Sequence, residues 1–400
     1  MHIVWINKNP WRKPGPIVYM GLLNALAFAW NEIPTTYFVG AGAQSDTDTD
    51  LREFYGVEPH PRLTIARISE SRTQRRAVYT AACAQIEKLA RDGESVLVCT
   101  RELGCLPALL ALRKRYPEKI RVLHECHDYY LTTRHLPKRD FAALRRQWSE
   151  RLLLPRLDGL ICLTEHQRAL YQQHLPQLPA IALPLGTLPQ SPTGTFSETL
   201  TDALIEQRRQ ARSVAYIGHL HDYKGLEELF ALAIALKPHN IALHTYGGGG
   251  AQNESLRQRA LKDGVESTMQ FTAFLPPREL HARLDSEISI GLVPLQDTYY
   301  NRYLTCPVKA LDFIAHGLPV VGTDLPAVRA VTAEAGIYAN FAATPTAALI
   351  ANLLADPQRY AAASRASRAR AEQLTWQRRG AALLQFAQPL FNKPPIEKPR

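Results

Sequence analysis

The chain has 400 residues, and a prior of about 100 to 200 residues per domain favours two domains. A hydrophobic share of 46% with 21% charged residues is typical of a globular protein and excludes a largely disordered chain. The formal net charge of +10 favours an anionic partner, which could be a nucleotide, a phospholipid head group or a nucleic acid.

The start of the chain, MHIVWI, has the pattern of a β-strand and lacks the basic, apolar and small-residue segments of a secretory signal. No apolar run approaches the roughly 20 residues that a bilayer span requires. The six cysteines form no C-x-x-C pair, which predicts buried thiols in a reducing compartment rather than disulfides or metal ligands. We therefore expect a cytoplasmic protein, with peripheral contact at the inner face of the plasma membrane as an open alternative.

Short apolar runs rich in β-branched residues alternate with longer helical patterns through the first half of the chain. The predicted strands are HIVWI (2–6), TTYFVG (35–40), SVLVC (95–99), RVLHE (121–125), GLICL (159–163) and AIALP (180–184). This alternation predicts right-handed crossovers and a parallel sheet covered on both faces. Residues 1–185 are therefore predicted to form a doubly wound, Rossmann-like α/β domain.

Residues 186–212 are rich in Pro, Thr and Ser and are predicted to be an interdomain linker. A second domain of the same kind is predicted over residues 213–375, and residues 376–400 are predicted to be a helix and tail that pack back on the N-terminal domain. The strands of this second domain are predicted at SVAYIG (213–218), IALHTYG (241–247), MQFTAF (269–274), ISIGLV (288–293) and LPVVGT (318–323). Two such sheets facing one another leave a cleft, and ligands of open α/β sheets bind outside the carboxyl ends of the strands.

Polar residues follow the strand RVLHE in the sequence HECHDYY. A metal site would need several of these side chains to converge, but alternate residues of an extended segment point to opposite faces. We therefore predict no metal site and interpret His127 as a hydrogen-bonding group in the cleft.

Residues 134–156 contain seven Lys or Arg against two acids, and large apolar residues recur there at helical spacing: Phe141, Leu144, Trp148 and Leu152. This pattern has two interpretations. The helix could rest on an anionic lipid surface, or its apolar stripe could face the core with a solvated basic back.

The strand SVAYIG ends at Gly218 and is followed by HLHDYKGLEELFALA. His219 and Lys224 would then lie on the cleft side of the loop, beside a helix N-terminus that favours anions. The compact positive charge of lysine suits phosphate. A solvated lysine at an ordinary helix start explains the pattern equally well.

The next strand ends in TYGGGG, residues 245–250. Glycines here would allow positive φ angles and a close approach of the backbone to a ligand. A flexible turn is at least as good an explanation, since a glycine run without a fixed fingerprint is a weak signal.

In residues 303–324, YLTCPVKALDFIAHGLPVVGTD, Pro307 suits the first helical position and Gly317 ends the helix. Lys309 and Asp312 then lie one turn apart. The carboxylate could accept hydrogen bonds from a ribose diol. Alternatively, the two residues form an exposed ion pair worth only a few tenths of a kcal/mol.

Taken together, these segments resemble the family 4 (group 1) retaining glycosyltransferases. The similarity rests on six segments in the family's order: VLHECHD, DGLICLTEHQRALY, AYIGHLHDYKGLEELFALA, HTYGGGG, FTAFLPPRELHARLDSEISIGLVPL and CPVKALDFIAHGLPVVGTDLPAV. The last is similar to the S-P-x-K-x-x-E-(Y/F)-x-A-x-G-x-P-V-V form of the donor motif. The resemblance implies an α/β chain with the GT-B fold, in which two facing doubly wound Rossmann-like domains leave a cleft between them.

The resemblance also implies roles for the matched residues. Lys224 would neutralise the diphosphate of a nucleotide sugar, Asp312 would hold the ribose and His127 would lie near the donor sugar, so these three are predicted to be catalytic. Donor contacts are further expected from Gly15 in the turn after the first strand, from Gly218, His219 and Gly248, from Phe274 and Leu275 at the base, and from Thr305 and Cys306 at the phosphates. Leu304, at the position of the first acid of the family's E-x7-E motif, is also placed in the donor site.

Two positions depart from the family pattern. His219 replaces an arginine, which weakens one diphosphate contact or makes it pH-dependent, because histidine is largely neutral at pH 7. Leu304 replaces the first acid of the E-x7-E motif and cannot bond sugar hydroxyls. These departures leave open an alternative in which the chain is a nucleotide-sugar-binding scaffold with lost or altered transfer.

The implied reaction is transfer of a sugar from a nucleoside diphosphate sugar to a hydroxyl, with retention of configuration, in the assembly of a bacterial-type surface polysaccharide or glycolipid. The expected partners are a donor such as a UDP- or GDP-sugar and a glycan or lipid-linked acceptor. We expect no cofactor and no metal. Nucleic-acid binding is not expected, because no aromatic-basic motif accompanies the positive charge.

Overall fold

The computed structural model describes residues 1–42, 44–69, 74–133, 135–136, 140–188, 200–220 and 225–392. Within them the chain forms two β-sheets, of seven and six strands, whose strands are all parallel to their neighbours. Helices connect the strands in both sheets. The prediction of two doubly wound α/β domains is therefore confirmed.

The N-terminal sheet has the strand order β3-β2-β1-β4-β5-β6-β7. Its strands are β1 (His2–Pro10), β2 (Thr35–Gly40), β3 (Leu63–Ile68), β4 (Val96–Thr100), β5 (Ile120–Cys126), β6 (Gly159–Cys162) and β7 (Ala180–Ala182). The helices between them are α1 (Pro16–Ala29), α2 (Thr47–Asp50), α3 (Gln74–Arg91), α4 (Leu106–Arg115), α5 (Phe141–Leu153) and α6 (Glu165–His174).

The C-terminal sheet has the strand order β10-β9-β8-β11-β12-β13. Its strands are β8 (Ser213–Ile217), β9 (Ala242–Tyr246), β10 (Met269–Thr272), β11 (Ile290–Val293), β12 (Val320–Thr323) and β13 (Gly336–Ala339). The remaining helices are α7 (Asp202–Gln210), α8 (Leu226–Leu236), α9 (Gly250–Lys262), α10 (Pro277–Glu287), α11 (Val308–Ala315), α12 (Pro326–Thr332), α13 (Ala343–Ala355), α14 (Pro357–Gln373) and α15 (Trp376–Phe391).

Two strands were not predicted from the sequence, β3 and β13, and both lie at the edge of a sheet. Most of their residues are only half-buried. Strands of a parallel sheet that are covered on both faces have continuous apolar sequences, whereas a half-covered edge strand does not. The sequence signal is therefore weak at these two edges, whereas the other two edge strands, β7 and β10, were predicted.

Helix α7 lies inside the range predicted to be linker, residues 186–212, but it packs on the C-terminal domain. Its Ile205 is buried, and the buried guanidinium of Arg208 donates to the Asp285 carboxylate at 2.8 Å. The interdomain linker is consequently shorter than predicted.

The C-terminal helix α15 packs against α1 of the N-terminal domain, so the chain crosses between the domains twice. The two crossings are hydrogen-bonded to each other. The N–H of Thr187 donates to the Leu374 carbonyl at 2.7 Å, and the N–H of Trp376 donates to the Thr187 carbonyl at 3.2 Å. Among the described helices, none combines the length and apolar character needed to cross a bilayer.

Candidate active site

A cavity of about 540 Å³ lies between the two domains. One wall is formed by the loop after β1 and the start of α1, and the other by loops and helix starts of the C-terminal domain. Cavities of about 300 to 1,000 Å³ are usual for sites that enclose a small-molecule ligand. We refer to this space as the cleft cavity.

The cleft cavity lies where the strand order reverses in each sheet. β1 has β2 on one side and β4 on the other, and β8 has β9 on one side and β11 on the other. The loops that follow β1 and β8 supply Gly15 and Gly218 to the lining. This is the position at which open α/β sheets bind ligands.

Three helices begin at the cavity wall: α1 follows Gly15, α9 follows Gly249 and α11 follows Pro307. The first N–H groups of a helix have no intrahelical partner and carry a partial positive charge. Gly15 has a φ of 95°, which glycine tolerates, and Pro16 then starts α1. The wall therefore suits an anionic ligand.

Close packing, rather than flexibility, accounts for the first two glycines of TYGGGG. Gly247 and Gly248 have φ angles of 153° and 75°. A Cβ on Gly247 would lie 2.0 Å from the Gly218 carbonyl oxygen, and one on Gly248 would lie 2.5 Å from Oδ1 of Asn253. The loops after β8 and β9 are thus fitted tightly against each other, and Gly248 lines the cavity.

Lys309 does not pair with Asp312, so the interpretation of the two as an exposed ion pair is wrong. The Lys309 ammonium lies 3.9 Å from the centre of the Tyr216 ring, a cation–π contact. It is also 3.4 Å from where a Cβ on Gly218 would lie. Lys309 therefore brings a positive charge to the cavity wall beside the loop after β8.

Of the two basic residues predicted to bind the diphosphate, the structure describes one. His219 is exposed and lines the cleft cavity. Lys224 lies outside the described residues, so its role stays a prediction.

Asp312 lines the cavity, and burial raises the pKa of its carboxyl to about 7. No hydrogen-bond donor for this carboxylate is found within the described part of the chain, and burial is the one cause of its shift. Tyr19 lies nearby: burial, and then the Asp312 charge, raise the pKa of its phenol well above the usual value. A carboxylate placed in this way is available to the hydroxyl groups of a ligand.

Four other residues predicted to contact the donor line the cleft cavity: Phe274, Leu275, Thr305 and Cys306. Phe274 and Leu275 form an apolar part of the wall, and Phe274 is 40% exposed. Apolar surface of this kind suits the flat face of a nucleotide base.

Leu304 does not line the cavity. It is 1% exposed and packs in an apolar cluster of the N-terminal domain that includes Val4 and Ile6. Leu304 is the last residue of a π-helical turn, Tyr300–Leu304, and the chain is extended again at Thr305. This corrects the prediction that Leu304 takes part in donor binding, and identifies it as an apolar contact between the domains.

His127 also lies outside the cavity lining. Its Nε2 is 2.6 Å from Oε1 of Glu125, and Arg379 of α15 donates to Oε2 of Glu125 at 2.7 Å. Burial alone would raise the pKa of Glu125, but the hydrogen bond and charge of His127 and the charge of Arg379 outweigh it and lower the pKa to about 2. In this structure His127 supports a buried carboxylate, and its contact with a donor sugar stays a prediction.

Among the polar residues of the cavity lining that were not singled out from the sequence are Tyr19 and His281. Tyr19 lies in an apolar helix, and His281 lies in a stretch of helix without a fixed motif. The sequence signal for Tyr19 was its nearness to Gly15, and that for His281 was its nearness to Phe274. Among the residues that the structure describes, no three His, Cys, Asp or Glu side chains are grouped so that they could hold a metal.

Helix α5 presents its apolar stripe to solvent, so the interpretation of that stripe as core-facing is wrong. Its buried side consists of Ala143, Glu150 and Leu153. At about 100° per residue, the exposed Arg145 and Arg151 flank the stripe on its two sides. The stripe consists of Phe141 (81% exposed), Leu144 (42%), Trp148 (74%) and Leu152 (58%).

Residues 211–356 match the family model described as Glycosyl transferases group 1. A comparison with curated protein sequences found no match. Both results concern sequence alone, and the matched range covers most of the C-terminal domain.

Several solved structures are similar over nearly the whole chain. Sucrose-phosphate synthase from Thermosynechococcus elongatus is 19% identical with a TM-score of 0.67, covering 98% of this chain and 99% of that one. The Anabaena protein HepE in complex with UDP is 15% identical with a TM-score of 0.60, covering 96% and 100%. The α,α-trehalose 6-phosphate synthase of Burkholderia multivorans is 16% identical with a TM-score of 0.61, covering 100% and 99%. The chain therefore has the GT-B fold, and its residues 211–356 match the model of the group 1 glycosyl transferases.

Proposed function

We propose that the protein transfers a sugar from a nucleoside diphosphate sugar to a hydroxyl acceptor, with retention of configuration at the anomeric carbon. The observation that carries this proposal is the composition of the cleft cavity. Its lining combines helix N-termini and Lys309, apolar residues around Phe274, and the carboxyl of Asp312. These groups match the phosphates, the base and the hydroxyls of such a donor. The UDP complex of HepE supports the same assignment.

In the proposed reaction the bond between the anomeric carbon and the diphosphate oxygen breaks, and a bond to the acceptor oxygen forms as its proton is lost. Negative charge develops on the departing diphosphate. Fixed positive groups stabilise that charge without reorganising during the reaction. The starts of α1, α9 and α11, together with Lys309 and Lys224, would supply these groups.

The acceptor is proposed to be a glycan or a lipid-linked sugar used in assembling a surface polysaccharide or glycolipid. The exposed stripe of α5 supports contact with a membrane, because exposed aromatic and aliphatic side chains between arginines suit an anionic lipid surface. The donor cavity and this stripe would then let the enzyme meet a lipid-linked acceptor at the membrane surface.

The donor site is tested by titrating UDP, GDP, ADP and their common sugars into the wild type, with thermal shift and calorimetry as readouts. One nucleoside diphosphate is expected to stabilise the protein. Lys224→Ala should weaken its binding about 10- to 100-fold, because a hydrogen bond to a charged phosphate contributes roughly 1.5 to 3 kcal/mol. Lys262→Ala is the matched control, since Lys262 is an exposed lysine near the far end of α9, and it should bind like the wild type.

No nucleotide binding at millimolar concentration would overturn the proposed function. Binding without turnover on a broad acceptor panel would favour the scaffold alternative that the sequence leaves open. Where turnover is found, nuclear magnetic resonance of the product gives the anomeric configuration, and an inverted product would contradict retention.

Membrane contact is tested by co-sedimentation with vesicles of phosphatidylglycerol and phosphatidylcholine. The wild type should bind the anionic vesicles, and the double variant Trp148→Ser/Arg145→Glu should lose at least about tenfold in affinity, through lost apolar burial and about 1 kcal/mol per basic residue. Leu261→Ser provides the control, because Leu261 is a 60% exposed leucine of the C-terminal domain. Equal binding to neutral vesicles, or no effect of the double variant, would rule out this surface.

A further inference from the structure

A chain of hydrogen-bonded side chains leads from the cleft cavity into the C-terminal domain. Tyr19 Oη is 3.4 Å from His281 Nε2, and His281 Nδ1 is 2.8 Å from His316 Nε2. His316 Nδ1 is in turn 2.6 Å from Oδ1 of Asp285, to which Arg208 donates from α7 at 2.8 Å. Three helices of the C-terminal domain therefore hold the imidazole of His281 in one orientation.

The direction of these hydrogen bonds follows from the carboxylate at the inner end. Ionised Asp285 only accepts, so His316 must carry its proton on Nδ1. Arg208 donates to the same oxygen of Asp285, so this oxygen needs a single further N–H, which the Nδ1 tautomer of His316 supplies. Its Nε2 then accepts from His281 Nδ1.

His281 consequently carries its proton on Nδ1 and presents an unprotonated Nε2 to the cavity. Burial, followed by the nearby His316, lowers the pKa of His281 to about 3, which agrees with a neutral ring. Within the described part of the chain its Nε2 meets only Tyr19 Oη, at a distance near the limit for a hydrogen bond. This nitrogen can therefore accept a shorter hydrogen bond from a ligand group.

The surroundings of His281 Nε2 indicate which ligand group it would accept from. Asp312 lies one turn before His316 on α11, and its charge acts on Tyr19, which touches His281. A carboxylate and an unprotonated imidazole are both acceptors, so this corner of the cavity suits hydroxyl groups and repels phosphate. Lys309 lies instead beside Tyr216 and Gly218.

We propose that His281 is a specificity-determining residue of the donor site, whose Nε2 accepts a hydrogen bond from a hydroxyl of the nucleotide donor. His316 and Asp285 are positioning residues that fix its tautomer. This inference rests on the proposed function, because it requires a nucleotide ligand in the cleft cavity. The hydroxyl belongs either to the ribose or to the transferred sugar, and the two sources are separable by experiment.

The test compares calorimetric affinities of wild type, His281→Leu and His281→Gln for UDP, 2′-deoxy-UDP, 3′-deoxy-UDP and UDP-glucose, or for the same set on whichever base binds. The wild type should lose about tenfold in affinity when the contacted hydroxyl is removed, as expected for one hydrogen bond. His281→Leu should bind the parent ligand about tenfold more weakly, and show no further loss for that deoxy analogue. His281→Gln keeps an acceptor oxygen and should retain most of the discrimination.

Loss of ribose discrimination in the leucine variant would assign the ribose hydroxyl, whereas an altered ratio of UDP-glucose to UDP affinity would assign the sugar. Asp285→Asn leaves the cavity lining unchanged and should reduce the same discrimination. The asparagine amide can donate to His316 Nδ1, which would reverse the direction of the hydrogen bonds and place a proton on His281 Nε2. Equal discrimination in wild type and His281→Leu would overturn the inference while leaving the proposed function intact. Absence of any nucleotide binding by the wild type would overturn both.

A variant that does not fold would not decide the matter, so the ¹⁵N chemical shifts of the wild-type imidazoles provide a second measurement. An unprotonated Nε2 in His281 is expected without ligand, with a change on nucleotide binding. A protonated Nε2 would contradict the assigned direction of the hydrogen bonds and with it the inference.

Discussion

Asp312→Asn is expected to raise the thermal stability of the protein at pH 8 while lowering kcat/KM about 10- to 100-fold. Burial raises the pKa of this carboxyl to about 7, so at pH 8 the folded protein holds a charge that burial disfavours. Because the folded pKa lies above the unfolded value, this cost is absent below about pH 4, grows as the pH rises and is complete above pH 7. The asparagine removes a cost of roughly 2 to 4 kcal/mol at pH 8 and a smaller one at pH 5.

The loss of activity has a separate cause, since an amide is a weaker acceptor for ligand hydroxyls than a carboxylate. Melting curves at pH 5 and pH 8, together with donor kinetics, measure the two effects. Asp324→Asn is the control, because Asp324 is exposed and paired with Arg329. It should change neither the thermal stability nor kcat/KM by much. A less stable Asp312→Asn at pH 8 would contradict the assigned burial cost.

Arg379→Met is expected to destabilise the protein by about 3 to 5 kcal/mol, the usual effect of removing one partner of a buried ion pair. The Arg379 guanidinium is 4% exposed and donates to Glu125 at 2.7 Å, to Asn24 at 3.1 Å and to the carbonyls of Leu183 and Pro184 at 2.6 Å each. Its removal leaves the Glu125 carboxylate buried with His127 as its remaining hydrogen-bond partner and removes the hydrogen bonds from α15 to Leu183 and Pro184. Urea unfolding at pH 7 measures the change.

Arg378→Met provides a matched control, because the neighbouring Arg378 is exposed, and it should change the free energy of unfolding by less than about 0.5 kcal/mol. Adding Glu125→Gln to Arg379→Met should recover part of the loss, since it removes the orphaned charge. If the double variant loses as much free energy of unfolding as the two single variants lose together, the charges are not coupled.

The sequence predicted the fold largely because interior parallel strands have continuous apolar sequences. β2 was placed at its observed bounds, whereas the edge strands β3 and β13 were missed because their residues are only half-buried. Gly15 and Gly248 were placed in the donor site by the family resemblance, and both line the cavity with positive φ angles.

Other features of the site depend on tertiary packing and could not be read from local pattern. An apolar stripe such as that of α5 has the same periodicity whether it faces core or solvent. Leu304 lies outside the site because it ends a π-helical turn, and no residue type in the sequence predicts such a turn. The pairing of His281 with His316 joins residues that are distant in the chain, and His316 occupies a variable position of the donor motif.

The return of α15 to the N-terminal domain makes that domain discontinuous in the chain. α1 is apolar and buried almost along its whole length, and a Cβ on Gly380 of α15 would lie only 2.3 Å from the Ala27 carbonyl oxygen. During synthesis, therefore, the first domain to leave the ribosome can pack α1 on β1 and β2 but cannot complete the burial of α1 until α15 has been made. A fragment that ends near residue 185 would expose this surface, so an isolated N-terminal domain should be expressed with α15 joined to it rather than as a simple truncation.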